Sequence, residues 1–258
     1  TTFPANSAVL WIARQEGLYL SGLLSIAFMS LAMLLAIRPV WLEKPLGGLD
    51  RIYRLHKWSG ILAVGFGAVH WLLKQSGDLL KSMIGIEGRL PKIRYDGVLE
   101  TLREFGADMG EPALYIALAM VAIALWRRFP YHLWRHLHRA MPVLYLMLAF
   151  HAVLLAPRDY WAQPVGWLVA RLLAAGVYGA VHSLLGGIGR AREVSGEIVA
   201  VEHPAHDITT VHCRLDCGWQ GHRPGQFAFV SFDDVDNREG AHPFTIASAD
   251  HGDRLVSF

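Results

Sequence analysis

Residues 56–70 read HKWSGILAVGFGAVH, an apolar and glycine-rich run with a histidine at each end. His56 and His70 are 14 residues apart, and an α-helix, at about 100° per residue, turns them to within about 40° of one face. The same helix places them about 21 Å apart along its axis. This stretch therefore predicts a membrane-spanning helix with one imidazole near each end. Ionisable groups inside a membrane are rare and functional by default.

A second apolar run also carries a histidine pair. His138 and His151 are 13 residues apart, a spacing that turns them about 220° apart on an ideal helix, whereas His136 would align better with His151. Pro142 lies between them and removes a hydrogen bond from the helix, which can kink or re-phase it. The residues alone leave His136 and His138 as alternatives.

The chain around these runs is strongly apolar up to about Gly189 and has an ordinary composition beyond it, with 53% hydrophobic residues overall. A membrane helix needs about 20 mostly apolar residues, and five runs qualify when their flanks are included. The predicted spans are residues 18–37, 58–73, 112–126, 140–157 and 164–185. Residues 98–105 predict a short amphipathic helix lying on the membrane surface.

Basic residues lie in three clusters, all on the same side of the membrane if the spans alternate in direction. The positive-inside rule makes that side cytoplasmic. A net charge of +2 gives no support to nucleic-acid binding. The clusters consist of Arg38, Lys44, Arg51, Arg54 and Lys57; Arg127, Arg128, Arg135 and Arg139; and Arg190 and Arg192.

Two helices with matching histidine pairs can hold two planar ligands, one above the other. Neutral imidazole is a good axial ligand for haem iron, and ligation by two histidines favours electron transfer over oxygen binding at the metal. Gly60, Gly65, Gly67 and Ala68 lie between the histidines of the first pair and would let a flat macrocycle approach the backbone. Isolated histidines bonded to carbonyl groups, or a transporter that relays protons, are the alternatives.

The histidine spacings of 14 and 13, with a later HPFTI stretch at residues 242–246 preceded by RPGQF at residues 223–227, resemble the ferric reductase and NADPH oxidase superfamily. The resemblance implies that His56 and His138 bind an inner haem b, and that His70 and His151 bind an outer one. The family spacing of 13 favours His138 over His136.

The resemblance also implies a fold of two parts. Residues 1–189 would form an all-α membrane bundle of five or six transmembrane helices that binds haem. Residues 190–258 would begin an FAD-binding β-barrel of the ferredoxin-reductase type. The nicotinamide-binding domain of the family would follow Phe258 and is expected to be absent from this sequence.

The residues beyond 193 support a small antiparallel β-barrel on their own pattern. Period-two runs separated by turn residues predict strands at residues 197–202, 208–215, 226–232, 244–247 and 254–258. In the HPFTI stretch, Thr245 would offer a hydroxyl and an amide to a flavin ring nitrogen. His242 would meet a phosphate or the ring edge, and Phe244 would stack or pack, with Pro243 and Ile246 completing the motif.

The function implied is that of an NAD(P)H-dependent oxidoreductase in a bacterial inner membrane, with its FAD domain in the cytoplasm. Electrons would pass from NAD(P)H through FAD, the inner haem and the outer haem to an acceptor outside, either a ferric chelate or oxygen giving superoxide. The alternative is a haem b membrane subunit that delivers electrons to a periplasmic partner protein.

Three basic residues near the outer side are candidates for the acceptor site. Arg14 and Lys74 would bind a haem propionate or an anionic acceptor, or would anchor the helices at the interface. Arg171 lies inside the fifth predicted span and would reach either the outer interface or a propionate. Oxidases of the family tend to carry a histidine where Lys74 stands, which counts against oxygen as the acceptor.

Overall fold

A computed structural model describes residues 7–86, 89, 95–232 and 241–258. Its contacts divide the chain into two compact units, Thr1–Gly189 and Arg190–Phe258. This boundary coincides with the one expected from the change in composition, while the haem and FAD assignments of the two units stay predictions.

The first unit is helical. Its long helices are α1 (Ser7–Ala36), α3 (Leu49–Ile84), α4 (Val98–Leu125), α6 (Met141–Leu155) and α8 (Pro164–Leu184). Shorter helices, α2 (Val40–Leu46), α5 (Tyr131–His138) and α7 (Arg158–Trp161), lie between them.

Within the described residues, four helical stretches are long and apolar enough to cross a membrane: Ala8–Ala36, Val98–Leu125, Tyr131–Leu155 and Pro164–Leu184. The predicted count of five is therefore not reproduced by length and composition. The predicted span that does not meet these criteria is the one in α3. This helix has 36 residues, but its histidines, glycines, tryptophans and serine lower its mean hydropathy. A membrane span in α3 stays a prediction.

The short surface helix predicted at residues 98–105 is wrong. These residues form the first turns of α4, which runs on without interruption to Leu125 and contains Pro112. A proline inside a membrane helix is tolerated where neighbouring helices and local adjustments satisfy the freed carbonyl, so the proline did not mark a boundary.

The core of the helical unit lies where α1, α6 and α8 meet, with Ala63 of α3 joining it. Tyr145 is fully buried there. Its hydroxyl lies 2.9 Å from Ser30 Oγ and donates to the Leu173 carbonyl at 3.2 Å. Small residues bring the backbones close: a Cβ added at Gly179 would lie 2.6 Å from the Met33 carbonyl oxygen. Such close approach is typical of packed membrane helices.

Outside residues 233–240, the second unit contains five antiparallel strands: β1 (Gly196–Ala205), β2 (Ile208–Leu215), β3 (Phe227–Val230), β4 (His242–Thr245) and β5 (Leu255–Ser257). They form two sheets, with strand order β1-β2-β5 and β3-β4. The Ala247 amide donates to the Ser257 carbonyl at 2.8 Å, which links the chain after β4 to β5. The five short strands agree with the prediction, whereas closure into a barrel stays a prediction.

Candidate functional site: four histidines in two facing pairs

The four predicted histidines meet as two pairs in the helical unit. The ring centroids of His56 and His138 are 6.0 Å apart, with the ring planes at 84°. Those of His70 and His151 are 6.3 Å apart, at 82°. Each pair therefore joins α3 to the α5–α6 segment, and the pairing runs across the helices rather than along them.

A break in the second histidine segment brings its two rings to the same side. Helix α5 ends at His138 and α6 begins at Met141, with Pro142 in the first turn of α6. Across the break, the amides of Arg139 and Ala140 bond to carbonyls three residues earlier, at 3.2 and 3.0 Å. This tighter turn re-phases the segment, so the 13-residue spacing no longer turns the rings apart.

The break also separates His136 from the site. His136 is exposed, and its Nδ1 lies 2.7 Å from the His132 carbonyl oxygen of its own helix. His138 faces His56 instead and stacks on the Trp134 indole, with centroids 4.8 Å apart and planes at 21°. The geometry thus brings His138, and not His136, to the inner pair.

Three of the four rings are oriented by main-chain carbonyl groups of other helices. The Nδ1 atoms of His56 and His70 donate to Ala32 and Leu18 of α1, both at 2.8 Å. The Nδ1 of His151 donates to Gly106 of α4 at 2.7 Å. Because a carbonyl only accepts, each Nδ1 carries the proton and each Nε2 keeps a free lone pair. This is the arrangement that metal-bound histidines usually show.

These carbonyl partners were not predictable from the sequence, because a main-chain acceptor has no signature in the side-chain pattern. The one local signal is a glycine four residues after two of the acceptors, at Gly22 and Gly110. In the part of the chain that the structure describes, the ring of His138 has no hydrogen bond. Its described ring contacts are with Trp134 and His56.

The pairs fit an axial haem site. A metal–imidazole bond is about 2 Å long, so two such bonds and two ring radii of about 1.1 Å put the ring centroids about 6 Å apart across one iron. The observed separations match this value. A Cβ added at Gly60 or Gly65 of α3 would meet nothing within 4 Å. Gly60 is four residues after His56 and lies on the same face of the helix, so there is room for a flat ligand beside that ring. Gly65 is nine residues after His56 and lies on the opposite face.

Gly67 differs from the other two glycines. A Cβ there would lie 3.2 Å from Leu114 Cδ1 and 3.3 Å from Ser25 Oγ, so this glycine allows helix packing rather than ligand approach. Among the described residues, no group of three or more histidine, cysteine, aspartate or glutamate side chains is placed to hold a metal ion. Each pair offers two imidazoles, which is the number that ligation of one haem iron by two histidines would use.

The candidate acceptor residues near the outer pair are engaged with neighbours. Arg14 donates to the Lys74 carbonyl at 2.8 Å and to Ser76 Oγ at 3.3 Å. The Lys74 ammonium lies 3.6 Å from Glu111, which also accepts a hydrogen bond of 2.6 Å from the Tyr115 hydroxyl. Glu111 and Tyr115 escaped sequence analysis, because an acidic and an aromatic residue four apart are common on helices.

The third acceptor candidate is placed differently. Arg171 is exposed on α8, and across the described ranges it has no hydrogen bond or ion pair. A long side chain on the outer surface of a helix can extend its charge to the interface, which favours interface anchoring over contact with the histidine pairs.

The HPFTI stretch forms β4 and the residue after it. All four residues of β4 are exposed, and the strand pairs with β3 through Phe227 opposite Thr245. Ile246 is 8% exposed and anchors the strand in its own unit. The Thr245 hydroxyl and the Phe244 ring are therefore accessible to a ligand, so these residues fit the flavin motif.

The preceding RPGQF stretch forms a turn, closed by a 3.2 Å bond from the Gln226 amide to the Arg223 carbonyl.

A protein-family model matches part of the chain. The family of the ferric reductase like transmembrane component matches residues 21–149. This half of the chain includes His56, His70 and His138, and ends two residues before His151. No curated protein matches the sequence. Because the match covers half of the chain, and because four helices among its described residues are long and apolar enough to cross a membrane, this multi-pass membrane protein belongs to the ferric reductase-like transmembrane family.

Proposed function

We propose that the chain is the membrane part of an oxidoreductase that moves electrons from cytoplasmic NAD(P)H, through FAD and two stacked b-type haems, to an acceptor on the other side. Family membership indicates transmembrane electron transfer by an oxidoreductase. The observation that carries the finer proposal is the pair of facing imidazoles at each of two levels, 6.0 and 6.3 Å apart.

The histidines would bind and orient the haems. His56 and His138 would hold the inner group, and His70 and His151 the outer one, each through Nε2. When bound, such haems would supply reversible one-electron chemistry. The carbonyl bonds of His56, His70 and His151 fix the tautomer that leaves Nε2 available.

The flavin site is proposed on β4. A flavin accepts two electrons and releases them singly, and the protein contributes its position and surroundings. Thr245, Phe244 and His242 would contact it from the exposed strand. The three basic clusters support a cytoplasmic position for this unit.

The acceptor is proposed to be a ferric chelate or oxygen. Lys74 lies one turn beyond His70 and 3.6 Å from Glu111, and Arg14 of α1 donates to the Lys74 carbonyl, so the three side chains together leave one positive charge near the outer pair. This charge suits an anionic chelate, because opposite charges steer and hold such a ligand. Ferric-chelate reduction measured against oxygen consumption, in the full-length enzyme, separates the two acceptors.

The test of the proposal is a reduced-minus-oxidised absorption spectrum of the purified chain, with dithionite as reductant so that no nicotinamide site is needed. We expect b-type bands and two haems per chain. His56→Ala and His70→Ala should each leave one haem, while His132→Ala, a change at an exposed histidine, should leave both. A wild-type chain without haem bands would exclude both the proposed electron path and the haem-subunit alternative.

A further inference from the structure

The two rings of the outer pair lie in similar depressions on two different helices. In each, a main-chain carbonyl accepts the Nδ1 proton, and a glycine follows four residues later in the same helix. We name such a depression a glycine notch. One notch is Leu18 and Gly22 on α1, which receives His70; the other is Gly106 and Gly110 on α4, which receives His151.

The two glycines allow the histidine rings to lie close to the backbones of α1 and α4. A Cβ added at Gly22 would lie 2.9 Å from His70 Nδ1 and 3.1 Å from its Cε1. A Cβ added at Gly110 would lie 2.6 Å from His151 Cε1, 2.9 Å from Nδ1 and 3.4 Å from Nε2. Carbon atoms in proteins pack at about 3.5–4.0 Å, so an alanine at either position would force the ring to move.

The inner pair has no comparable notch. His56 makes the same type of bond, to the Ala32 carbonyl, but the residue four positions later is Ala36, which has a methyl group. The carbonyl bond alone therefore does not require glycine. The requirement arises at the outer pair, where both rings lie against the helix backbone.

We propose that Gly22 and Gly110 are positioning residues that set the rings of His70 and His151 for the outer haem. The inference rests on the proposed function. A haem iron needs both Nε2 atoms on its axis, and a supporting group must hold a ligand to within about 0.5 Å. Restoring a contact of about 3.5 Å would move the His70 ring by about 0.6 Å and the His151 ring by about 0.9 Å. Both shifts exceed this tolerance, so either alanine would weaken ligation at the outer level and leave the inner level intact.

The experiment compares Gly22→Ala and Gly110→Ala with a matched alanine change on each helix. Gly17→Ala is the control on α1, because its Cβ would meet only the flexible end of Leu73 at 3.2 Å. Asp108→Ala is the control on α4, because Asp108 is exposed and lies two residues from Gly110 on the same helix. The measurements are haem content per chain and the low-spin ferric electron paramagnetic resonance spectrum.

We expect both notch variants to lose or shift the signal that His70→Ala removes, with haem content falling from two toward one per chain, and both controls to keep two. The inner haem serves as an internal report of folding. Two haems with unchanged spectra in both notch variants would overturn the inference and leave the proposed function standing. A wild-type chain without haem would instead refute the proposed function.

If a notch variant does not accumulate in the membrane, a double variant that also lacks the neighbouring histidine ring shows the reason. Gly110→Ala is combined with His151→Ala, and Gly22→Ala with His70→Ala. Accumulation of the double variants at the level of the histidine single variants would assign the defect to contact with the ring, in support of the inference. Failure of the double variants, while the histidine single variants accumulate, would assign the glycines to another packing role and overturn it.

Discussion

His136 and His138 are two positions apart and have opposite surroundings. His138 faces His56 across 6.0 Å and stacks on Trp134, whereas His136 is exposed and bonded within its own helix. We therefore expect His138→Ala to lose the inner haem, with haem content falling from two to one per chain. His136→Ala is the matched control and should keep both. The pyridine haemochrome assay measures both variants, and a normal inner haem in His138→Ala would refute the assignment.

Thr245 provides a second prediction for a single residue. Its hydroxyl is accessible on β4, and a hydrogen bond to a ligand contributes about 1 kcal/mol. Thr245→Val should therefore weaken FAD binding about fivefold, as measured by fluorescence titration of the full chain in detergent. Thr209→Val, at an exposed position of β2, is the control. Equal FAD affinity in the two variants would argue against a flavin contact at Thr245.

The histidines that form the two facing pairs were only partly predictable from the sequence. The spacing between His56 and His70 needed no correction, because α3 is one continuous helix. The second pair was ambiguous, because the phase of its segment depends on the tight turn at Arg139 and Ala140, whose extent Pro142 alone does not specify. The carbonyl partners of the rings were not predictable, since they depend on which backbones come close.

At the level of helices, α1 and α8 pack with almost no space between their backbones. A Cβ at Gly179 would lie 2.6 Å from the Met33 carbonyl oxygen and 2.9 Å from its carbon. Both atoms belong to backbone, which cannot move aside as a side-chain end does. Gly179→Ala should therefore destabilise the bundle by about 1–3 kcal/mol, the usual cost of overpacking.

The measurement for Gly179→Ala is the melting temperature of the purified chain in detergent, which we expect to fall by several degrees. Gly17→Ala is the comparison, because it makes the same change opposite a flexible leucine end. Similar melting temperatures for the two variants would show that the α1–α8 contact adjusts more readily than a close backbone packing allows.

The limits of the spans were less predictable than their presence. Residues 98–105 have a separate amphipathic pattern, and Pro112 would normally suggest an end, yet α4 contains both. The residues that give α3 its functional interest also reduce its apolar character, so hydropathy identifies it less clearly than its neighbours. Of the two segments that carry the histidine pairs, α3 is for this reason the harder to recognise as a span, whereas Tyr131–Leu155 meets the criteria.

For the whole molecule, the division into two units was predictable because composition changes sharply near Gly189, where the contacts also divide the chain. The strands of the second unit followed from their alternation. Closure of a barrel depends on long-range pairing that no local pattern specifies. The described strands pair as two sheets linked after β4.

The orientation of the second unit can be tested with the native cysteines, which are two in number. Cys217 is exposed, whereas Cys213 is 7% exposed on β2, and burial raises the pKa of its thiol. A maleimide reacts with the thiolate, so Cys217 should be the reactive site.

Since the basic clusters predict that this unit is cytoplasmic, a membrane-impermeant maleimide should label inverted vesicles and leave spheroplasts unlabelled. Cys217→Ser should abolish labelling and Cys213→Ser should preserve it. Labelling of Cys217 in spheroplasts would place the unit on the outer side and reverse the proposed direction of electron transfer.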